Sequence, residues 1–203
     1  GTLWYCQRIL RVNHMRERVK EIILESIQVK EELLRNKGVD VILDITNMAI
    51  DCLKKGGKLI LFGNGGSASD SQHIVAELVG RFKKERPALP AIALTTNSSI
   101  ITALANDYSY EIVFSRQVEA LGQKNDLVLG ISTSGKAKNV VSAFKQAKKM
   151  GIKTVLFTGG DGGEAAKTAD LVFTAPSTIT ARIQETHITV AHIICELIEE
   201  AFV

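Results

Sequence analysis

Lys58-Leu59-Ile60-Leu61-Phe62-Gly63-Asn64-Gly65-Gly66-Ser67-Ala68 is an unbroken apolar run that ends in a glycine-rich turn and opens onto a helical pattern. A run without polar alternation reads as a strand buried on both faces, the signature of a parallel sheet covered by helices. The same grammar recurs at Asp126–Ile131, which is followed by Ser132-Thr133-Ser134-Gly135. Outward from these two, Ala91–Leu94, Thr154–Thr158 and Leu171–Thr174 read as further strands. Helical patterns fill the intervals at 68–82, 100–106, 111–121, 137–150 and 163–168, and a last one covers 179–202. Strands alternating with helices predict a doubly wound, three-layer α/β sandwich of the flavodoxin-like type with five parallel strands. Two amphipathic helices precede it, at 15–36 and 38–55, and Gly56-Gly57 stops the second. Their apolar stripes, Val19, Ile22, Ile23, Ile27 and Val29 on one and Val41, Ile42, Ile45, Met48, Ala49 and Leu53 on the other, suit either a core or a subunit contact.

A chain of 203 residues fits one large domain and buries roughly 70% of its unfolded surface, so no disulfide or metal staple is required. Hydrophobic residues at 45% and charged residues at 23% argue against disorder. The net charge of +3 is too small to mark a nucleic-acid binder. No apolar run reaches the roughly 20 residues of a membrane-spanning helix. Cys6, Cys52 and Cys195 are odd in number and form no close pair, so a reducing cytoplasm is the expected setting. Residues 1–14 lack an apolar segment followed by a small-residue cleavage site and read poorly as a signal peptide. They are expected to be an upstream extension or expression scar ahead of Met15, with 15–203 a single domain. The alternative is an arm that packs on a neighbouring subunit through Trp4 and Tyr5.

Ligands of doubly wound folds bind at the carboxyl ends of the strands, so the loops there carry the function. Gly63-Asn64-Gly65-Gly66-Ser67-Ala68 satisfies a literal dinucleotide fingerprint, but the second strand ends in Leu94-Thr95-Thr96-Asn97, without the acid that would hold a ribose. A P-loop is excluded because no Gly-Lys-Ser/Thr follows. What remains is an anion-binding turn at a helix start. Ser132-Thr133-Ser134-Gly135 offers three consecutive hydroxyls at another strand end, with Lys136 and Lys138 close by, and suits phosphate. An ordinary Ser-rich helix cap is the competing reading.

Together these loops resemble those of the sugar isomerase (SIS) domain proteins, and within them the phosphoheptose isomerases. The likeness runs from Met15 to Phe202. It is carried by Gly63–Ser67, His73-x-x-x-Glu77-Leu78-x-Gly80-Arg81, Arg86-Pro87-x-x-Pro90-Ala91-Ile92-Ala93, Asn106-Asp107, Phe114-Ser115-Arg116, Gly130–Gly135 and Arg182-Ile183-Gln184-Glu185 through His192. The resemblance implies aldose–ketose isomerisation of sedoheptulose 7-phosphate to D-glycero-D-manno-heptose 7-phosphate, a precursor step for lipopolysaccharide, capsule or glycoprotein heptose. It also implies a homotetramer with active sites between subunits. Asn64, Gly65, Gly66, Ser67, Glu77, Asn106, Asp107, Ser132, Thr133, Ser134 and Gln184 match substrate-contacting positions.

His73 and Glu77 share a helical face at i and i+4. On the closing helix His192 lies about 80° to one side of Gln184 and His187 about 60° to the other, so helical geometry leaves the inward histidine open. The resemblance selects His192. It implies one zinc ion per subunit on His73, Glu77, Gln184 and His192, with Glu77 and His192 as the acid–base pair. Two departures weaken the match: Ala137 stands where relatives commonly carry Ser or another polar residue, and Ala181 where they commonly carry Asp. One branch of the family binds the replication initiator without turning over sugar, and that non-catalytic role is the alternative function. A phosphosugar sensor with an added DNA-binding domain has no place in the leading helices.

Overall fold

The computed structural model describes the backbone from Thr2 to Val203 and the side chains from Val12 onward. The Trp4 and Tyr5 contact considered above therefore lies outside the described side chains. Helices α1 (Thr2–Arg35) and α2 (Gly38–Lys54) lead into β1 (Leu59–Gly63), α3 (Gly66–Val79) and β2 (Ala91–Ala93). Then come α4 (Ser98–Asp107), a single 3-10 turn at Tyr110–Ile112, α5 (Ser115–Leu121), β3 (Leu127–Ile131) and α6 (Lys138–Lys149). The chain closes with β4 (Lys153–Gly159), α7 (Gly163–Thr168), β5 (Leu171–Ala175) and α8 (Thr180–Glu200). Among the described residues no helix is long and apolar enough to cross a membrane.

The five strands form one parallel sheet in the order β2-β1-β3-β4-β5, so the order reverses between β1 and β3. This is the doubly wound arrangement the apolar runs predict, with its switch point between the two loops singled out above. Alternation within β1 feeds two cores. Leu59 and Leu61 join Ile45, Ala49, Val190 and Ile194 under α2 and α8, whereas Ile60 and Phe62 join Phe114, Val118, Val140 and Phe144 under α5 and α6. Both faces being covered explains why the strand shows no polar alternation.

The helix read over 111–121 is divided in the structure. Val113 and Phe114 are buried, and Phe114 stacks on Phe62 with ring centroids 4.9 Å apart. That aromatic contact bends the chain between the 3-10 turn and α5, a tertiary effect that overrides local helical periodicity.

Candidate active site

The Gly-rich loop folds tightly. Gly65 sits at φ +57° and ψ −122°, a backbone state open to glycine. The Ser67 N–H donates to Asn64 O at 3.1 Å and the Ala68 N–H to Gly65 O at 3.0 Å, which starts α3. Asn64 exchanges two amide hydrogen bonds with Asn139, at 3.0 and 2.9 Å, and accepts a third from the Tyr110 hydroxyl at 3.1 Å. This ties the loop to α6 and to the segment after α4. Asn106 and Asp107 end α4 and are exposed, with the Asn106 amide donating to the Asp107 carboxylate at 2.9 Å. Ser67 is buried at the start of α3.

Beside it, Ser132 is buried, Thr133 half-buried and Ser134 exposed. The Ser132 N–H donates to Phe157 O at 2.9 Å and the Gly159 N–H to Thr133 O at 3.0 Å, so this loop is an extension of the β3–β4 pairing. A Cβ on Gly135 would collide with the Gly162 carbonyl, and one on Gly163 would stand 2.7 Å from Gly135 O. The two loops are therefore in backbone contact. A cavity of about 180 Å³ opens above them, lined by Thr133, Ser134, Lys136, Gly160, Thr178 and Thr180 among others.

His73 and Glu77 project from α3 toward α8. His73 Nε2 lies 3.0 Å from Glu77 Oε1 and 3.1 Å from His192 Nε2. One proton on His73 Nε2 cannot serve both contacts, so lone pairs converge. All three donor atoms fall within 4.8 Å of one another, a His, Glu, His set that could hold a metal ion. Gln184 lies elsewhere on α8: its Nε2 is 2.8 Å from the point where a Cβ on Gly66 would stand. It thus meets the sugar loop, roughly two helical turns along α3 from His73.

His187 has a different environment. It is 1% exposed, packs against Phe157 and Phe173, and its Nε2 donates to Thr158 O at 2.9 Å. Burial pushes its pKa down to about 4. It is a core residue, and the ambiguity of the helix face ends with His192 at the cluster.

Four residues beyond the sequence-predicted set shape the site. Asp70, one turn before His73, has its pKa raised by burial against the opposing pull of His73 and His192; its i−3 spacing was the available signal. Phe82 packs on the His192 ring with centroids 5.5 Å apart. Arg86 and Glu199 meet behind α3, and only a fold brings residues so distant in sequence together.

The SIS domain family model matches residues 23–159. A phosphoheptose isomerase of Aquifex aeolicus is 52% identical over 186 residues, covering 92% of this chain and 97% of that one. The solved structure of a phosphoheptose isomerase from Neisseria gonorrhoeae superposes with a TM-score of 0.86 at 40% identity, covering 92% of this chain and 99% of that one. A second, from Francisella tularensis, gives 0.87 at 36% identity over 91% and 97%. The chain belongs to the phosphoheptose isomerases of the SIS domain family.

Proposed function

We propose that the chain is an aldose–ketose isomerase that converts sedoheptulose 7-phosphate to D-glycero-D-manno-heptose 7-phosphate through an enediol. The observation that carries this is the convergence of His73, Glu77 and His192 within 4.8 Å between α8 and α3, the helix that the Gly-rich loop opens at the sheet's switch point. A non-catalytic binder of the replication initiator needs no such convergence, and that alternative is not favoured.

Glu77 takes the proton from C1 of the ketose and returns it at C2, while His192 moves the hydroxyl proton between the two oxygens. Ser132, Thr133 and Ser134 hold the phosphate. Asn64, Gly65, Gly66, Ser67, Asn106, Asp107 and Gln184 orient the sugar hydroxyls. Asn139 and Tyr110 keep the Asn64 amide fixed through three hydrogen bonds, which favours a single orientation of the bound chain. His73, Glu77 and His192 would hold one zinc ion, while Gln184, which meets the Gly-rich loop at Gly66, would serve the sugar instead. When bound it supplies a preorganised positive charge for the oxyanion that develops during proton transfer.

We further propose a homotetramer whose sites lie between subunits. Val19, Ile23 and Ile27 on α1 are half or more exposed or close to it, Leu34 is 76% exposed, and Val39, Leu43 and Ile193 are also exposed. A groove of about 480 Å³ between α1, α2 and α8 is lined by several of these side chains. Covering each large apolar side chain contributes up to about 1.5–3 kcal/mol, so partner helices are the favoured cover. α8 itself is less open than its composition predicts: Val190, Ala191, Ile194 and Ile198 are buried within the chain. The test is a coupled assay on sedoheptulose 7-phosphate, with and without chelator; absence of turnover in zinc-loaded protein would overturn the reading.

A further inference from the structure

Arg86 reaches under the carboxyl end of α3 with its side chain 1% exposed. Its Nη2 donates to Glu77 O at 2.8 Å, and its Nη1 to Leu78 O at 2.9 Å, Pro87 O at 3.0 Å and Gly80 O at 3.2 Å. The last carbonyls of a helix lack intrahelical partners and carry its negative end, so a buried guanidinium there both satisfies and neutralises them. Its Nε stands 3.6 Å from Glu199 Oε2.

Glu199 belongs to α8 and is 2% exposed. Its carboxylate accepts the Phe82 N–H at 2.8 Å and the Lys83 and Lys84 N–H groups at 2.7 Å each. Burial works against its charge, but those three donors and Arg86 outweigh it and hold the carboxyl below its ordinary range. Glu199 follows His192 by seven residues, so the two share a face of α8. The strap that leaves α3 thus binds Glu77's own backbone through Arg86 and His192's helix through Glu199, and Phe82 within it lies on the His192 ring. Buried ion pairs are poor sources of net stability, because desolvation offsets the attraction. Here the geometry is fixed by the hydrogen bonds of the Glu199 carboxylate and of Arg86 Nη1 and Nη2. Arg86 Nε has no hydrogen-bond partner among the described residues and meets Glu199 as a charge alone.

We propose that Arg86 and Glu199 are positioning residues: a buried clamp that sets the spacing of α3 and α8 and so holds Glu77, His73 and His192 at one point. This rests on the isomerase reading of the site. The test uses Glu199→Gln and Arg86→Lys in the full chain, measuring kcat and KM on sedoheptulose 7-phosphate, calorimetric zinc titration of metal-free protein, and the melting temperature as a structural control. Misplacing the pair should lower kcat about 10- to 100-fold with KM within about threefold. Zinc affinity should weaken about tenfold or more in the metal-free titration. A folded variant with lowered melting temperature but kcat and zinc affinity within about twofold of the parent overturns the proposal. If Glu199→Gln does not fold, Arg86→Lys decides, and failure of both to fold also overturns it in favour of a purely architectural pair. A parent chain without turnover refutes the isomerase reading instead, and the zinc titration then still decides the clamp.

Discussion

Replacing His187 with Gln removes a proton-binding group from the core and leaves the candidate acid–base cluster intact. His187 is packed between Phe157 and Phe173, and among the described residues its Nδ1 has no hydrogen-bond partner. Burial lowers its pKa from 6.5 to about 4, opposed only in part by the bond to Thr158. Below pH 6.5 the unfolded chain takes up a proton that the folded chain refuses, so this histidine destabilises the fold progressively down to about pH 4. Above pH 6.5 both states are neutral and the contribution vanishes. Integrating between about pH 7.5 and 5.5 gives a loss of about 1.3 kcal/mol, approaching about 3 kcal/mol below pH 4. Urea unfolding of parent and His187→Gln across that range should show the variant weaker at pH 7.5, from lost ring packing, with the gap closing by about 1.3 kcal/mol at pH 5.5. Turnover at pH 7.5 should stay within about threefold of the parent. Identical pH slopes for the two proteins would refute the assignment of a neutral core histidine. A folded but inactive variant would return His187 to the catalytic set.

Glu77→Gln and His192→Gln should each lower turnover by about 10² to 10⁴ with little change in unfolding midpoint, read in the coupled assay, since each removes a proton-transfer group from a partly exposed site. Elemental analysis should find about one zinc per chain, and full activity after exhaustive chelation would leave the cluster a plain polar site. Leu34→Glu combined with Leu43→Glu should shift light scattering from a tetramer to smaller, less active species. A fully active particle near 22.1 kDa would contradict the shared-site reading.

Strand positions were legible because burial on both faces leaves a local mark: Leu59–Phe62 and Leu127–Ile131 carry no polar residue. The candidate loops were legible for the same reason, since Gly63–Ser67 and the Ser132-Thr133-Ser134 hydroxyls stand in consecutive residues. The histidine face of α8 was not, because 60° and 80° offsets are equivalent until the positions of Phe157 and Phe173 are known. Nor was the Arg86–Glu199 clamp, whose partners lie 113 residues apart by number and leave no trace in either local pattern. Exposed apolar residues on α1 show the reverse failure: periodicity announces a stripe but not what covers it.

The contact between Gly135 and the Gly162–Gly163 turn bears on how this site can change over generations. All three glycines hold positive φ, at +63°, +71° and +54°, and side chains at 135 or 163 would run into backbone that has no room to retreat. The scaffold of the hydroxyl loop is therefore closed to mutation, whereas the Lys136 side chain is exposed and Ala137 is half-buried at the start of α6, where its carbonyl accepts the Val140 and Val141 N–H groups. Drift or selection is channelled to those side chains. A mutant library confined to residues 136, 137, 178, 180 and 181 should yield folded proteins with altered sugar preference far more often than one of equal size spread over 132–135 and 159–163.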